Sequence, residues 1–549
     1  MSKNLSELSG RKGLDQILFN KLGEISAKSG TPDQADMKKL AEEYLMGNAN
    51  IYGAASFYDF TREENKGKKI YICNGSACLC AGTQDTLKDK LEEQFKPGEI
   101  GEMCCLGRCH ENSAFHYNGL NYSGNAIDYL KAGTIVADKN EDSYHTGNIG
   151  TPVVNMPFED LDVIKDTIAK ALFSTREALI EELKISGLRG RGGAGFPIAF
   201  KLESCKNTPG DKKFVVCNAD EGDPGAYSDR YIMEKKPYTL LVGMIAAGYA
   251  IGADAGVVYI RREYPESAHI IIKAVQVLED AGLLGNNILG SGFNFMFKVV
   301  TAQGAYICGE ETALLSSIEG QRAEVRTRPP FPTQLGLFNK PTVVNNVETL
   351  ANILFILQKG GAAYAAIGKG KSTGTKLISL DSHFNKPGVY EADMGVPLRE
   401  VIDKLGGGFK EPIKALHIGG PLGGLVPAQK IDDLTVDFES FSQNGFLLGH
   451  ASVICIPQEF PLIKYLEHLF QFSAHESCGK CFPCRLGTQR GYELMHKAIH
   501  SDFKVERDLF TDLLDTLERG SLCALGGGLP LPVKNALQYF DDELKQYFN

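Results

Sequence analysis

The chain has 549 residues, of which 43% are hydrophobic and 23% charged, and its formal net charge at pH 7 is −10. This length predicts roughly three or four domains, each long enough to bury a core. The acidic balance excludes the Lys- and Arg-rich surface that nucleic-acid binding or a polybasic membrane contact needs. Fourteen cysteines and no tryptophan stand out, in a chain too long for a small disulfide scaffold.

The N-terminus shows no secretory signal, because no apolar run follows its basic residues. The longest apolar stretch begins at Thr239, carries glycines and is broken by Asp254, so we interpret it as a buried helix and strand rather than a membrane span. These features predict a cytoplasmic protein without direct membrane insertion. In that compartment thiols stay reduced, so clustered cysteines favour metal or redox roles over disulfides.

The first 60 residues or so show helical patterns with a break at residues 30–32. From Lys68, a strand-like run (KKIYICNG), a helical run (TLKDKLEEQF) and more strand around Phe115 predict a small α/β unit. A polar stretch, ADKNEDSYHTGNIGTP, follows and is typical of a linker.

Between residues 150 and 365, Gly-rich loops alternate with β-branched runs such as KFVVC and AGVVYI, which is the pattern of an α/β layer fold. Short strands and turns from residue 373 to residue 457 indicate a small α+β module with one helix, PLREVIDKL. Beyond Pro461 the periodicity is helical, and Gly520 is placed like a helix C-terminal stop.

The strongest local motif is ESCGKCFPCR, which places Cys478, Cys481 and Cys484 at C-x2-C-x2-C spacing. Three thiolates this close can hold three corners of a [4Fe–4S] cluster, and a distant cysteine closes the fourth. We favour Cys523 over Cys455 for that corner, because the glycines around Cys523 let the backbone approach a cluster. The alternatives are a zinc site, which more often uses two separated C-x2-C pairs, and buried structural thiols.

A second group of six cysteines lies in CNGSACLC and MCCLGRC. A C-x4-C pair, Cys73 and Cys78, and a C-x3-C pair, Cys105 and Cys109, could each hold one iron of a [2Fe–2S] centre. Cys80 would then be a spare thiol, as would Cys104. Zinc is again the alternative, because spacing alone does not exclude it.

The stretch SGLRGRGGAGF contains G-x-G-x-x-G, but a helical run precedes it, whereas a dinucleotide fingerprint follows a strand. It is therefore either a flexible turn or a cofactor loop. Other loops place amides and carboxylates after strand-like runs or before a helix, which suits the polar edges of a flavin and a ribose: CNADEGDPG, GEETALL and VNNVETL. Because carboxylates do not grip phosphate, glycine N–H groups and Arg189 or Arg191 would have to do so.

In order and spacing, these stretches resemble a fusion of the two electron-input subunits of respiratory complex I. The first 135 residues resemble the small [2Fe–2S] subunit. Residues 150–549 resemble the NADH-binding flavoprotein subunit, through GLRGRGGAGFP, CNADE, YICGEETALL, PPFP, VNNVETL and ESCGKCxPC. The form NADEGDPGA is more similar to the diaphorase subunits of soluble NAD-linked hydrogenases, formate dehydrogenases and electron-bifurcating relatives.

The resemblance implies a multidomain α/β and α+β fold. Its expected parts are an N-terminal helical segment (1–65), a thioredoxin-like [2Fe–2S] domain (66–135), a linker (136–150), a Rossmann-like FMN and NAD(P)H domain (151–370), a β-grasp-like module (371–458) and a helical [4Fe–4S] domain (459–549).

The resemblance also implies which residues bind each group. The metal ligands would be Cys73, Cys78, Cys105, Cys109, Cys478, Cys481, Cys484 and Cys523. The FMN contacts would be Gly190, Gly192, Gly193, Lys201, Asn218, Asp220, Glu221, Asn345, Asn346 and Thr349. The nicotinamide nucleotide contacts would be Phe196, Tyr306, Glu310, Glu311, Arg328 and Phe331.

Two departures from the family pattern bear on the nucleotide. The family commonly has lysine where Arg328 stands, and an arginine fork tolerates a 2′-phosphate, so NADP stays open beside NAD. Ser204 stands where a second adenine-stacking ring is expected.

The implied activity is that of a diaphorase, in which a hydride moves between NAD(P)(H) and FMN and single electrons move through the clusters, with no catalytic side chain. The first choice of partners is the iron–sulfur and catalytic subunits of a hydrogenase or formate dehydrogenase complex, with ferredoxin and electron bifurcation as further candidates. A complex I-type input subunit is the second choice. A zinc-stapled nucleotide-binding scaffold is the alternative from another class.

Overall fold

The computed structural model describes residue 14 and residues 18–29, 32–130 and 142–549. Parts of the predicted N-terminal segment (1–65), the last residues of the predicted thioredoxin-like domain (66–135) and the first part of the predicted linker (136–150) lie outside these residues. Within the described ranges, no helix is long and apolar enough to cross a membrane.

Three short helices open the described chain, and Asp33 caps the second by accepting from the Asp36 N–H at 2.8 Å. They are α1 (Leu18–Ser29), α2 (Gln34–Glu43) and α3 (Asn48–Ala55). Their buried side chains share a core with strands of the later α/β domain, including Phe214 and Val216. The helical segment therefore packs on the α/β domain.

The next unit is a four-stranded sheet in the order β2-β1-β3-β4, with β1 and β2 parallel. Its elements are β1 (Ile70–Cys73), α4 (Ser76–Cys80), α5 (Gln84–Glu92), β2 (Ile100–Met103), β3 (Phe115–Tyr117) and β4 (Leu120–Tyr122). Ile70, Leu87, Leu91 and Phe115 form its separate core. This confirms the small α/β unit that the sequence predicts.

Strand β5 (His145–Ile149) lies where the sequence analysis places a linker. It pairs in parallel with a strand that arrives more than 200 residues later, from His145 opposite Gly388 to Ile149 opposite Ala392. The pairing uses backbone groups, and its side chains are exposed or half-buried, so hydrophobic patterning could not reveal it. These residues are therefore part of a sheet and do not act as a linker.

The α/β domain is built on a parallel sheet in the order β8-β7-β6-β9. Its strands are β6 (Phe214–Ala219), β7 (Ala255–Ile260), β8 (Met296–Thr301) and β9 (Thr342–Asn346). Its helices are α6 (Leu161–Leu172), α7 (Arg176–Ser186), α8 (Ile198–Asn207), α9 (Ser228–Lys235), α10 (Pro237–Ile251), α11 (Pro265–Asp280), α12 (Glu311–Ile318), α13 (Val347–Lys359) and α14 (Gly361–Ala365). The apolar stretch from Thr239 forms α10 and β7, both buried, as predicted.

A six-stranded sheet follows, in the order β15-β14-β16-β12-β13-β5. Its strands besides β5 come after a small hairpin of β10 (Gly368–Lys369) and β11 (Ser372–Thr373), and they are β12 (Thr375–Leu380), β13 (Gly388–Asp393), β14 (Ile413–Ile418), β15 (Gly424–Pro427) and β16 (Ser452–Pro457). The predicted helix there is α15 (Leu398–Glu400), which continues as a π-helical turn at Val401–Leu405, and α16 is Phe438–Gln443.

The C-terminal region is helical. Its helices are α17 (Leu462–His475), α18 (Phe482–His500), α19 (Arg507–Gly520), α20 (Ala524–Gly528), α21 (Pro530–Tyr539) and α22 (Asp541–Leu544). Helices α17 and α18 form a hairpin, and Gly491 lets α18 approach closely, because a Cβ there would lie 2.2 Å from the Phe470 ring. Helix α19 ends at Gly520, as the sequence predicts.

Candidate functional site

Four of the N-terminal cysteines form one buried group. Cys73 ends β1, Cys78 lies in α4, and Cys105 and Cys109 lie in the loop after β2, each at most 2% exposed. The Cys105 and Cys109 Sγ atoms are 3.4 Å apart, and the Cys73 thiol contacts both Cys78 and Cys105. Cys80 instead lies near Asp381 of the six-stranded sheet.

A metal centre fits this group. The hydrogen bond with Cys105 and burial raise the pKa of the Cys109 thiol well above its ordinary value. Four thiolates packed this tightly need a positive charge among them, which bound iron supplies, because coordination deprotonates a thiol outright.

This thiol group lies against the loop that follows β6. The Arg261 guanidinium, 3% exposed, donates to the Cys104 carbonyl at 2.9 Å and to the Glu221 carbonyl at 2.6 Å. The Ser382 N–H donates to the Cys109 carbonyl at 3.0 Å, from the six-stranded sheet. The Gly225 N–H contacts the Cys109 thiol itself. Three domains therefore enclose the N-terminal thiols.

The C-terminal cysteines form a second group at the turn of the α17–α18 hairpin. Cys484, in the first turn of α18, contacts Cys481 and lies near Cys478, and Cys523, at the start of α20, lies near Cys478 and Cys484. Cys455 lies elsewhere, in β16 with its thiol beside Asp381. The structure thus brings Cys523, and not Cys455, to the three clustered thiols.

A cluster also fits here. Burial raises the pKa of Cys484 to about 11 and that of Cys523 to about 12, so bound metal is needed to hold them as thiolates. Gly526 lets the two segments meet, because a Cβ there would lie 2.7 Å from the Cys484 Cβ. The N-terminus of α18 adds the positive end of a helix dipole beside the thiols.

The Gly-rich loop lies between helices α7 and α8, so it is not the strand–loop–helix of a dinucleotide fingerprint. A Cβ on Gly192 would lie 2.8 Å from the Asn346 Cβ, so the loop backbone presses on the start of α13. Gly193 has φ +130°, and a Cβ there would meet no atom within 4 Å. The Arg191 N–H donates to Thr349 Oγ1 at 2.8 Å and fixes the loop.

The neighbouring strands β6 and β9 end beside this loop, with Asn218 in register with Asn346. At this edge Asn345 Nδ2 and Asp220 Oδ2 are buried and have no hydrogen-bond partner among the described residues. Burial raises the pKa of Asp220 well above its ordinary value. Because buried polar atoms are normally paired, a ligand with both donors and acceptors fits this edge, as a flavin ring does.

Glu221 supports the start of helix α9, whereas the resemblance implies that it contacts the flavin. Its two carboxylate oxygens accept from the Asp229 N–H at 2.9 Å and the Arg230 N–H at 3.0 Å, so they hold the start of α9. Asn346 is held in a related way, because its Nδ2 donates to Asp229 Oδ2 at 2.6 Å.

Asp229 and His450 also belong to this site, although the sequence motifs did not predict them. His450 Nε2 lies 3.3 Å from Asp229 Oδ2 and 3.6 Å from Glu221 Oε1. Burial opposes a charge on the imidazole, but Asp229 and Glu221 together raise the pKa of His450 to about 9. Burial and Asp229 raise the pKa of Glu221 to about 7. No local signal marks His450, which lies 221 residues from Asp229.

The arginines of the Gly-rich loop are engaged elsewhere. Arg189 donates to the Gly195 carbonyl at 2.7 Å and to Glu439 at 2.6 Å, and Arg191 is fully buried against Tyr364 and Thr373. Arg191 Nε and Nη1 are buried and have no hydrogen-bond partner among the described residues, so phosphate binding by this guanidinium stays a prediction. The backbone N–H groups of the Gly-rich loop are also available to hold the phosphate.

Several of the residues predicted for the nucleotide, called the nucleotide group below, are joined by ion pairs and hydrogen bonds. Glu311 accepts from Lys201 Nζ at 3.1 Å and from Arg328 at 3.0 Å, and Lys201 also donates to the Val344 carbonyl at 2.7 Å. Glu310 caps α12 by accepting from the Thr312 N–H at 2.9 Å. The carboxylates and cations are thus paired and preorganised.

Two rings of the nucleotide group are exposed, Phe196 at 46% and Phe331 at 52%, and so is the neighbouring Phe200 at 62%. The Phe196 and Phe200 rings meet edge to face at 5.6 Å. The Ser204 hydroxyl donates a hydrogen bond to Thr333 Oγ1 at 3.1 Å, which connects α8 to the loop that carries Phe331.

Tyr306, which belongs to the nucleotide group, contacts the C-terminal helices. Its hydroxyl donates to Asp223 at 2.7 Å, and its N–H donates to Glu476 at 2.8 Å. Asp223, quoted in the loop motif but not predicted as a contact, is therefore bonded to a predicted nucleotide residue.

A parallel-sheet edge that fits a flavin, together with two groups of four clustered thiols, defines the class of iron–sulfur flavoprotein oxidoreductases. Family models agree with each part. They are described as Nuo51 FMN-binding domain, matching residues 183–354, NADH-ubiquinone oxidoreductase-F iron-sulfur binding region, matching 464–547, and thioredoxin-like [2Fe-2S] ferredoxin, matching 11–132.

Curated relatives share this pattern. The chain is 40% identical to the NADP-reducing hydrogenase subunit HndC of Solidesulfovibrio fructosivorans, over 69% of this chain and 78% of that protein. It is 41% identical to the F 2 subunit of NADH-quinone oxidoreductase of Rhizobium meliloti (strain 1021), over 67% and 88% of the two chains. A chain of the H2-reduced NAD+-reducing [NiFe]-hydrogenase superposes with a TM-score of 0.87 at 28% identity, covering 97% and 92%.

The chain belongs to the family of NADH-oxidoreductase F-type flavoprotein subunits, here fused to a thioredoxin-like [2Fe–2S] domain. It is an NAD(P)H dehydrogenase subunit with FMN, [4Fe–4S] and [2Fe–2S] as its cofactors and NAD(H) as its substrate, and it transfers electrons between them. The predicted family, fold class and cofactors are confirmed, and the zinc scaffold is not supported.

Proposed function

We propose that the chain is the diaphorase subunit of a hydrogenase complex, where it exchanges electrons between NAD(H) and a hydrogen-activating subunit. The observation that carries this proposal is the match over 97% of the chain, thioredoxin-like domain included, to a chain of an NAD+-reducing [NiFe]-hydrogenase. Identity to the HndC hydrogenase subunit supports it. The protein works in the cytoplasm, in keeping with fourteen cysteines of which none forms a disulfide.

The flavin site in this proposal is the edge formed by the Gly-rich loop, β6, β9 and α13. Asn345 and Asp220 offer their unpaired buried atoms to the ring, and the loop N–H groups hold the phosphate. Lys201 stays beside the site through its bond to Val344, while Glu221 supports the loop from behind. When bound, FMN accepts a hydride from a nicotinamide and passes electrons singly to iron–sulfur clusters.

The nucleotide site in this proposal is formed by Phe196, Phe331, Tyr306 and the Glu310–Glu311 pair. The exposed rings hold an adenine, and Glu311 orients the ribose hydroxyls. Arg328 is already paired with Glu311 at 3.0 Å, and two carboxylates next to it repel an added 2′-phosphate. The protein therefore prefers NAD(H) over NADP(H).

The cysteine roles follow the two thiol groups. Cys73, Cys78, Cys105 and Cys109 hold the [2Fe–2S] cluster. Cys478, Cys481, Cys484 and Cys523 hold the [4Fe–4S] cluster.

Replacing Glu311 by Ala tests the nucleotide site. We expect the KM for NADH to rise roughly 10-fold or more, because charged hydrogen bonds contribute about 1.5–3 kcal/mol, while FMN stays bound. Glu279→Ala, at an exposed position of α11, is the matched control. An unchanged KM for Glu311→Ala removes this residue from the nucleotide site.

A complex I-type input subunit is the second candidate, favoured by 41% and 39% identity to NADH-quinone oxidoreductase F subunits. Mild purification from the native host, with mass spectrometry of what is retained, separates the candidates. A co-purifying hydrogenase subunit supports the first proposal. Co-purifying quinone-reductase subunits support the second candidate. Co-purifying formate dehydrogenase or ferredoxin would contradict both candidates and assign the chain to a complex with that partner.

A further inference from the structure

The outer face of the α17–α18 hairpin carries a second cluster of metal-ligand side chains, remote from the thiols. His496 and His500 are four residues apart on α18, and Glu467 reaches them from α17. One ligand atom from each of the three residues lies within 4.8 Å of the others. Both histidines are exposed and Glu467 is half-buried, so an ion can enter from solvent.

The hydrogen bonds of this cluster set the tautomers of both imidazoles. His496 Nδ1 lies 2.6 Å from Glu467 Oε1, and His500 Nδ1 lies 2.9 Å from the His496 carbonyl. A carboxylate and a carbonyl only accept hydrogen bonds, so each neutral imidazole carries its proton on Nδ1 and a lone pair on Nε2. A carboxylate or carbonyl behind Nδ1 is the usual support of a metal-binding histidine.

The two imidazole rings also lie close together. Their centroids are 4.2 Å apart with an interplanar angle of 34°, and the Tyr492 ring lies 5.5 Å from His496 on the same helix. Residues four apart on a helix share a face, so one ion can reach both imidazoles. Imidazole suits zinc, nickel and copper, whereas magnesium and calcium prefer oxygen ligands.

We propose that His496 and His500 bind a divalent transition-metal ion, zinc being the simplest, with Glu467 as the positioning residue for His496. The ion would be held by α18, with α17 contributing through Glu467, at the end of the hairpin opposite the [4Fe–4S] turn. Twelve residues of α18 separate Cys484 from His496, a rise of about 18 Å. The site is therefore structural and independent of the proposed diaphorase function.

Calorimetric titration of tag-free holoprotein with Zn²⁺ tests the proposal, with iron and FMN contents measured first and cluster EPR signals followed throughout. We expect one Zn²⁺ per chain, no binding of Mg²⁺, unchanged EPR signals and a raised thermal unfolding midpoint. Binding should be lost in His496→Ala and His500→Ala and weakened about 10- to 100-fold in Glu467→Ala.

His269→Ala is the matched control, because His269 is an exposed histidine on α11, away from this hairpin. It should bind zinc as the parent does. The proposal is overturned if zinc binds equally well to His496→Ala, if the parent binds none, or if zinc uptake is matched by loss of cluster signals, which would place it at the cysteines. Normal iron and FMN contents show that each variant is folded.

Discussion

The two thiol groups differ in what encloses them. Around the N-terminal group, Arg261 and Ser382 donate to backbone carbonyls from two other domains, and all four thiols are almost fully buried. The C-terminal group lies at the turn of a helical hairpin, with Cys481 and Cys523 half-buried. The Arg322 guanidinium of the α/β domain also donates to the Cys478 carbonyl, at 3.1 Å. Because burial and hydrogen bonds tune iron–sulfur clusters, we expect the fully buried first group to depend on its neighbours more than the second.

The largest effect is expected from removing a ligand of one group. Cys484→Ser should abolish the [4Fe–4S] signal and electron transfer beyond FMN, because three thiolates leave one iron without its ligand. Iron analysis and EPR of the reduced protein measure this, and the iron content should fall to that of one [2Fe–2S] cluster. Cys80→Ser, at a thiol beside Asp381, should retain both signals. Loss of both signals in Cys484→Ser would show that the two groups are not independent.

Arg261→Met tests whether the N-terminal group depends on its neighbours. The change leaves the carbonyls of Cys104 and Glu221 and the carboxylate of Glu263 without their buried donor, at a cost of about 3–5 kcal/mol. We expect a lower thermal unfolding midpoint and an altered [2Fe–2S] EPR signal or potential, with the [4Fe–4S] signal unchanged. Equal changes at both clusters would contradict the comparison.

The loop beneath the N-terminal group is itself held by buried charges, which gives a pH dependence. His450 faces Asp229, Glu221 and, at longer range, Lys376 and Asp223. Its pKa of about 9 exceeds the ordinary 6.5, so its stabilisation is complete below about pH 6.5 and is lost as pH rises through 9. The raised pKa of Glu221, about 7, acts in the same direction, its stabilisation being lost as pH rises through 7.

Thermal unfolding midpoints between pH 6 and pH 10 measure this dependence. The protein should be destabilised at the alkaline end by at most about 5 kcal/mol, about 3 kcal/mol of it from His450 and the rest from Glu221, and His450→Gln should flatten the alkaline part of the profile. A His450→Gln profile parallel to that of the parent would show that this imidazole is not charged in the folded protein.

The smallest effect is expected at the proposed nucleotide site, which lies outside both thiol groups. Phe200→Leu removes an exposed ring that meets Phe196, and aromatic contacts of this kind contribute about 0.5–1.5 kcal/mol. The KM for NADH should therefore rise roughly 2- to 10-fold, with FMN and both EPR signals unchanged. Phe173→Leu, at a ring 65% exposed after α6, is the control and should leave KM unaltered.

Sequence patterns predicted the elements whose information is local. The run after Lys68 gave β1, and GEETALL gave a helix capped by Glu310, because both signals lie within one element. Contacts between distant segments were not predictable in this way. Strand β5 pairs through its backbone, and His450 meets Asp229 only after the six-stranded sheet packs on the α/β domain.

The same distinction applies to the arginines of the Gly-rich loop. Their positive charge beside carboxylate-rich loops suggested phosphate binding, but the sequence could not show that Arg189 reaches Glu439 and Arg191 reaches Tyr364, both in later parts of the chain. The clustered cysteines were easier, because three of the four C-terminal thiols lie within seven residues. Choosing four of the six N-terminal thiols needed the family resemblance.

The most direct test is anaerobic reduction of the purified protein by NADH, with metal and flavin analysis and EPR on one sample. We expect one FMN per chain, bleaching of the flavin absorbance, and iron sufficient for one [4Fe–4S] and one [2Fe–2S] cluster, with a reduced-cluster EPR signal. A colourless protein with zinc in both thiol groups and no flavin would contradict it.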